Sequence, residues 1–235
     1  MVVAYLQAEG KSWPAWRKLH GDDRIPDILR CVQSFFPTNR VETVLAGHSG
    51  GGSFIFGFLN TIENIPNDVV RIAFLDSNYG YDPVFNHDTK LCQWLLTSAN
   101  HSLCVLAYDD ASARLNGQAF VSAEGGTWGR SHAMLADFST QFKFTGRTNA
   151  GMETYSALDG RLQLLLKENP DHKIFHTVQV ERNGFIQAMV SGTTNEGRGY
   201  EYFGGRAYSG LISDESPAPP QPADESRLAA GRNGR

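Results

Sequence analysis

The stretch VLAGHSGGGSF, residues 44–54, constrains this chain more than any other. An apolar run leads into Gly47-His48-Ser49-Gly50-Gly51, and a segment rich in Phe and Leu follows at once. That order reads as a buried strand over 41–46, a sharp turn, and a helix over 50–62. A serine held between glycines on such a turn takes a strained backbone conformation and projects its hydroxyl above the sheet. The glycines let strand and helix approach closely. The N–H of Gly50, at the start of the helix, then faces any negative charge that develops on a bound group. His48 and Gly50 are the binding-side neighbours of the serine, although His48 points away from it on a turn and is not expected to take its proton. The plainer reading of the same residues is a glycine-rich turn that binds an anion or nothing.

The rest of the chain alternates strand-like and helix-like segments. Strands are expected over 2–6, 69–76, 103–110 and 173–180, and an irregular loop over 10–23. Helices are expected over 25–36, 91–99, 155–168 and 200–212. Pro26 suits a first helical turn, capped by Asp22 or Asp23, and the 155–168 segment spaces Leu158, Leu162, Leu165 and Leu166 along one face. The strands are continuously apolar rather than alternating, the pattern of a mostly parallel sheet with helices on both faces. One domain over 1–212 is expected. The segment 213–235, with Pro217, Pro219, Pro220 and Pro222, is too poor in apolar residues to fold and reads as a disordered tail.

On the GHSGG motif in its strand–turn–helix setting, the chain resembles the α/β-hydrolase superfamily across roughly residues 2–212. The GDD before the helix at Ile25 also looks like esterase-type members. The resemblance implies an α/β-hydrolase-like sheet in which the strand before Ser49 is the fifth and residues 2–6 are the fourth. The first strands would then have no counterpart before Met1, and the chain reads as truncated at its N-terminus. The loop that gives the family its second oxyanion donor would be missing too. Loss of one such donor costs about 10²–10³ in rate.

In this family a carboxylate and then a histidine follow the serine along the chain. The carboxylate usually follows the second strand after the serine, which points to Asp109 or Asp110. It would hold an imidazole in the right tautomer, and the plainer reading is a pair of turn-capping aspartates. Asp76, at the end of the preceding strand, is the alternative. The histidine belongs on the loop after the last strand. With that strand at 173–180, the loop is 181–193 and offers Gln187, whose amide cannot act as a general base. His132, His172 and His176 remain: His132 opening an apolar segment, His172 in a solvated turn, His176 inside the expected strand, where a satisfied core role competes with a base role.

The resemblance therefore implies a serine hydrolase cleaving a small carboxylic ester or amide through an acyl-enzyme at Ser49, with no metal or organic cofactor. The aromatic residues Trp13, Trp16, Tyr79, Tyr81 and Trp128 would line an apolar pocket, or simply pack the core. The alternative is an impaired, hydrolase-like binding protein or an inactive fragment. A formal charge of −4 over 235 residues argues against a nucleic-acid partner. No run of about 18 apolar residues suggests a membrane span, and residues 1–13 lack a signal-peptide pattern. The glycines are followed by no P-loop lysine and form no G-x-G-x-x-G, so a nucleotide site is not expected. Cys31, Cys92 and Cys104 have no metal-binding spacing and read as small buried hydrophobes.

Overall fold

A six-stranded sheet organises the chain, with strand order β1-β2-β3-β8-β7-β6. The strands are β1 (Thr43–His48), β2 (Val69–Leu75), β3 (Ser102–Tyr108), β6 (Thr145–Asn149), β7 (Met152–Ala157) and β8 (Leu162–Lys167). β1, β2, β3 and β8 run parallel, while β7 and β6 extend the sheet antiparallel. A short pair, β4 (Arg114–Leu115) and β5 (Gln118–Ala119), stands apart. The helices are α1 (Trp13–His20), α2 (Ile25–Ser34), α3 (Gly51–Thr61), α4 (His87–Thr97), α5 (Thr127–Phe138) and α6 (Phe185–Val190). The computed structural model describes residues 2–8, 12–36, 41–115, 118, 119, 121 and 126–211. The tail expected over 213–235 lies outside the described residues.

The protein is thus of the α/β class with a mostly parallel sheet. Its two faces are covered unequally. Ile72, Phe74, Leu103, Val105, Leu162, Leu164 and Leu166 point to a large core shared with α3, α4 and α5, and with Ile25, Trp13 and Trp16 beyond α3. Ala73, Leu75, Cys104, Leu106 and Leu165 point the other way, to a small core closed by Ala188 and Met189 of α6. Arg71 fastens that side: its guanidinium donates to Ala188 O at 3.0 Å, to Ser191 Oγ at 2.8 Å and to Ser191 O at 2.9 Å. Every residue of β3 is buried, which explains why the strands read as continuous apolar runs.

Several expectations are corrected. Residues 2–6 form no strand: Val2, Val3 and Tyr5 are 70%, 67% and 86% exposed. The idea that the chain starts on a fourth strand therefore loses its footing. Among the described strands β1 is a sheet edge. Residues 13–20, expected as loop, form α1, started by Ser12 and by Pro14 in the first turn. Residues 155–168 form no helix. They hold the end of β7, a tight turn and β8. Leu158, Asp159 and Gly160 all have positive φ, and the Asp-Gly pair is a hairpin signal that outweighs helical leucine spacing. Residues 173–180 form no strand either. Phe175 there is 69% exposed, and the carbonyl of His176 meets a side chain rather than a neighbouring strand. Residues 200–211 are turns with one short 3₁₀ segment at Ser209–Leu211.

The cysteines divide by burial. Cys92 and Cys104 are fully buried and Cys31 is exposed. Burial pushes both buried thiols up to about 12. In the native protein one thiol per chain, Cys31, should react with a disulfide reagent such as DTNB, and three after denaturation. Cys31→Ser should abolish the native reaction.

Candidate active site

Two strained residues sit side by side at the ends of neighbouring strands. The β1–β2 register pairs His48 with Leu75, so the next residues, Ser49 and Asp76, leave the same edge of the sheet together. Both have left-handed backbones, φ 53° and 50°. Such conformations cost about 1–3 kcal/mol each in non-glycine residues and persist where the surroundings over-determine them.

The surroundings of Ser49 do so through close packing. A Cβ on Gly47 would stand 2.7 Å from Gly51 C and 2.8 Å from Gly52 N. One on Gly52 would stand 1.8 Å from Ser77 O. Ser77 Oγ donates to Gly47 O at 2.7 Å. The turn is therefore clamped against the segment that follows Asp76. Gly51, by contrast, faces open space. The glycines that the geometry requires are 47 and 52, one of which lies outside the G-x-S-x-G pattern. Ser12 and Pro14 lie over Gly50. Among the described residues neither the Gly50 N–H nor the Ser49 hydroxyl makes a hydrogen bond.

Asp76 is fully buried. Its backbone N–H donates to Leu106 O at 2.7 Å, pinning it between β2 and β3. One carboxylate oxygen accepts from His176 Nδ1 and the other from Thr127 Oγ1, both in short contacts. His176 lies on the segment after β8, which runs parallel to β3 and so ends on the same edge as Ser49 and Asp76. A carboxylate at Nδ1 fixes the proton there and leaves Nε2 as the lone-pair nitrogen. The His176 side chain is 32% exposed. Its ring stacks on His48, with centroids 4.7 Å apart, and the Tyr79 ring lies 6.2 Å away. His48 Nε2 donates to His176 O at 3.2 Å. Burial lowers the His48 pKa, which keeps that ring neutral at neutral pH.

The other expected residues separate from this group. Asp110, nearly as buried as Asp76, accepts from Thr127 N at 2.8 Å and Trp128 N at 3.3 Å at the start of α5. Burial, assisted by the charge of Asp76, raises its pKa against the pull of those N–H groups. Asp109 caps its own turn through Ala111 N at 3.1 Å. His132 lies on α5, with Nδ1 donating to Trp128 O at 3.0 Å and Nε2 3.4 Å from Glu153. His172 bonds Ser112. Gln187 belongs to α6 on the small face. It donates to Glu196 at 2.9 Å and accepts from Tyr200 at 2.8 Å. The last strand among the described residues is β8, not 173–180, so the segment that follows it begins at residue 168 and holds His172 and His176 before it reaches Gln187.

Thr127 was not singled out from the sequence. Its only signal there is its place after a glycine at a helix start. No family model, no curated protein and no solved structure matches this chain. The packing makes one forecast. Gly47→Ala and Gly52→Ala should each lose about 1–3 kcal/mol in chemical denaturation through overpacking, while Gly51→Ala should stay within about 0.5 kcal/mol.

Proposed function

We propose that the protein is a serine hydrolase of α/β-hydrolase type, cleaving a carboxylic ester or amide through an acyl-enzyme at Ser49. The observation that supports this most is the buried Asp76–His176 hydrogen bond, set on the same sheet edge as a serine held in a left-handed turn. In this reading Asp76 is the orienting acid. Asp109 and Asp110, the positions favoured from the sequence, do not touch an imidazole.

The steps follow from the groups present. His176 Nε2 takes the Ser49 proton as the oxygen attacks the carbonyl carbon. The imidazolium formed is stabilised by the Asp76 carboxylate on its other nitrogen. The negative carbonyl oxygen meets the Gly50 N–H at the N-terminus of α3. His176 returns the proton to the departing alcohol or amine as the acyl-enzyme forms. Water, deprotonated by the same nitrogen, adds to the acyl carbon; the bond to Ser49 Oγ breaks, and His176 returns the proton to Oγ as the acid leaves. His48, held neutral by its burial, puts no second positive charge beside His176.

A fluorophosphonate probe tests the reading, since it reports an activated serine without knowledge of the substrate. The chain should label once, at Ser49. Ser49→Ala should abolish labelling and His176→Ala should nearly abolish it. Asp76→Asn should slow ester turnover by up to about 10⁴-fold, by stranding the wrong tautomer. His132→Ala should label like the unaltered chain. Labelling that survives Ser49→Ala, or none at all, would leave a non-catalytic binding protein as the better reading.

A further inference from the structure

We propose that Asp110 and Thr127 are positioning residues that set the orientation and charge of Asp76, and through it the basicity of His176. The part assigned to the base rests on the reading of Ser49 and His176 given above. The linkage among the three side chains does not.

One hydroxyl lies between two carboxylates. Thr127 Oγ1 contacts Asp76 Oδ1 closely and lies 3.3 Å from Asp110 Oδ2. A threonine hydroxyl has one hydrogen to give. The shorter contact takes it, so Thr127 donates to Asp76. Asp110 holds Thr127 by other means, through the backbone N–H groups of Thr127 and Trp128. The carboxylate of Asp110 thus caps α5 from a remote position and fixes the residue whose side chain reaches Asp76. Gly126 leaves the room for this: a Cβ there would stand 2.1 Å from Asp110 Oδ1. Thr127 donates to Oδ1 of Asp76 while Oδ2 accepts from His176 Nδ1, so the two donors hold the carboxylate between them.

The cluster is also electrically unusual. Asp76 and Asp110 are 0% and 1% exposed. The titratable groups that face Asp110 are Asp76 at the end of β2, Tyr79 in the turn after it and Tyr108 at the end of β3. Those that face His176 are Asp76, His48 and Tyr79. Among the described residues no lysine or arginine faces either group. Asp110 sets a second carboxyl group beside Asp76 in a dry site where charge acts strongly.

Two substitutions act in opposite directions, which loosening of the site alone would not produce. Thr127→Val removes the donor from Asp76, leaves its charge less compensated, and should raise the His176 titration midpoint by about half a unit to one unit, the size of one hydrogen bond. Asp110→Asn keeps an acceptor oxygen for α5 but removes the charge, and should lower the midpoint. Thr127→Ser should restore the starting value. The midpoint is read by NMR of the His176 imidazole in the full chain, with the spectrum assigned by His176→Gln, and the readout needs no substrate. In ester turnover Thr127→Val should lower kcat about tenfold with KM little changed. A His176 titration unchanged in Thr127→Val, or moving the same way in both variants, overturns the proposal. One unchanged in Asp110→Asn overturns the part assigned to Asp110. Should probe labelling fail while these shifts appear, the hydrolase reading falls and the linkage stands. Should labelling hold while the shifts are absent, the linkage alone falls.

Discussion

A carboxylate with no exposed surface and, among the described residues, no lysine or arginine paired with it is the constraint on which the arrangement around the sheet edge depends. Taking an isolated ionised carboxylate out of water is costly unless its oxygens are satisfied. Asp76 meets this with a donor on each oxygen: His176 on one and Thr127 on the other. Those donors come from the segment after β8 and from the first residue of α5, so one side chain ties together three distant parts of the chain. Removing either donor leaves a buried acceptor incompletely paired, which is the expensive kind of change in a folded protein.

The backbone strain sits at the same place. Ser49 and Asp76 occupy left-handed conformations next to each other, where parallel pairing has just ended. Strain in this place is supported from both sides. Ser77 Oγ reaches back to Gly47, and Ser77 O fills the space that a side chain on residue 52 would need. The clamp is mutual: the turn holding Ser49 is braced by the residue after Asp76, and Asp76 is braced by Leu106 of β3. Neither turn is free to relax without the other.

Much of this was legible from the sequence, for identifiable reasons. The turn at Ser49 was readable because glycine spacing and the switch from an apolar run to a helix are local signals. β2 and β3 were readable because both faces are covered and the runs are continuously apolar. The segment 155–168 was not, since Leu162, Leu164 and Leu166 face one core and Leu165 the other. Leucines on both sides of a strand, preceded by Leu158, mimic a helical stripe. That single error put the last parallel strand at 173–180 instead of Leu162–Lys167, and the loop expected to hold a base became the one that holds Gln187. His176 looked like a strand residue for the same reason. Asp76 over Asp110 was a choice no spacing rule could make, because both follow parallel strands and both are buried. Only the identity of the donors separates them: an imidazole for Asp76, helix N–H groups for Asp110.

The direction of β8 explains why a histidine so late in the chain reaches Asp76 at all. β6, β7 and β8 form a meander joined by tight turns, with Ala150 and Gly151 both at positive φ in the first. A meander reverses direction at each turn, so β6 and β8 point one way and β7 the other. Because β8 pairs parallel to β3, its far end emerges on the edge already occupied by Ser49 and Asp76. One strand fewer in the meander would deliver the following segment to the opposite edge of the sheet, and His176 with it. The two antiparallel strands contribute no residue to the Asp76 cluster, yet their number decides that the cluster has an imidazole.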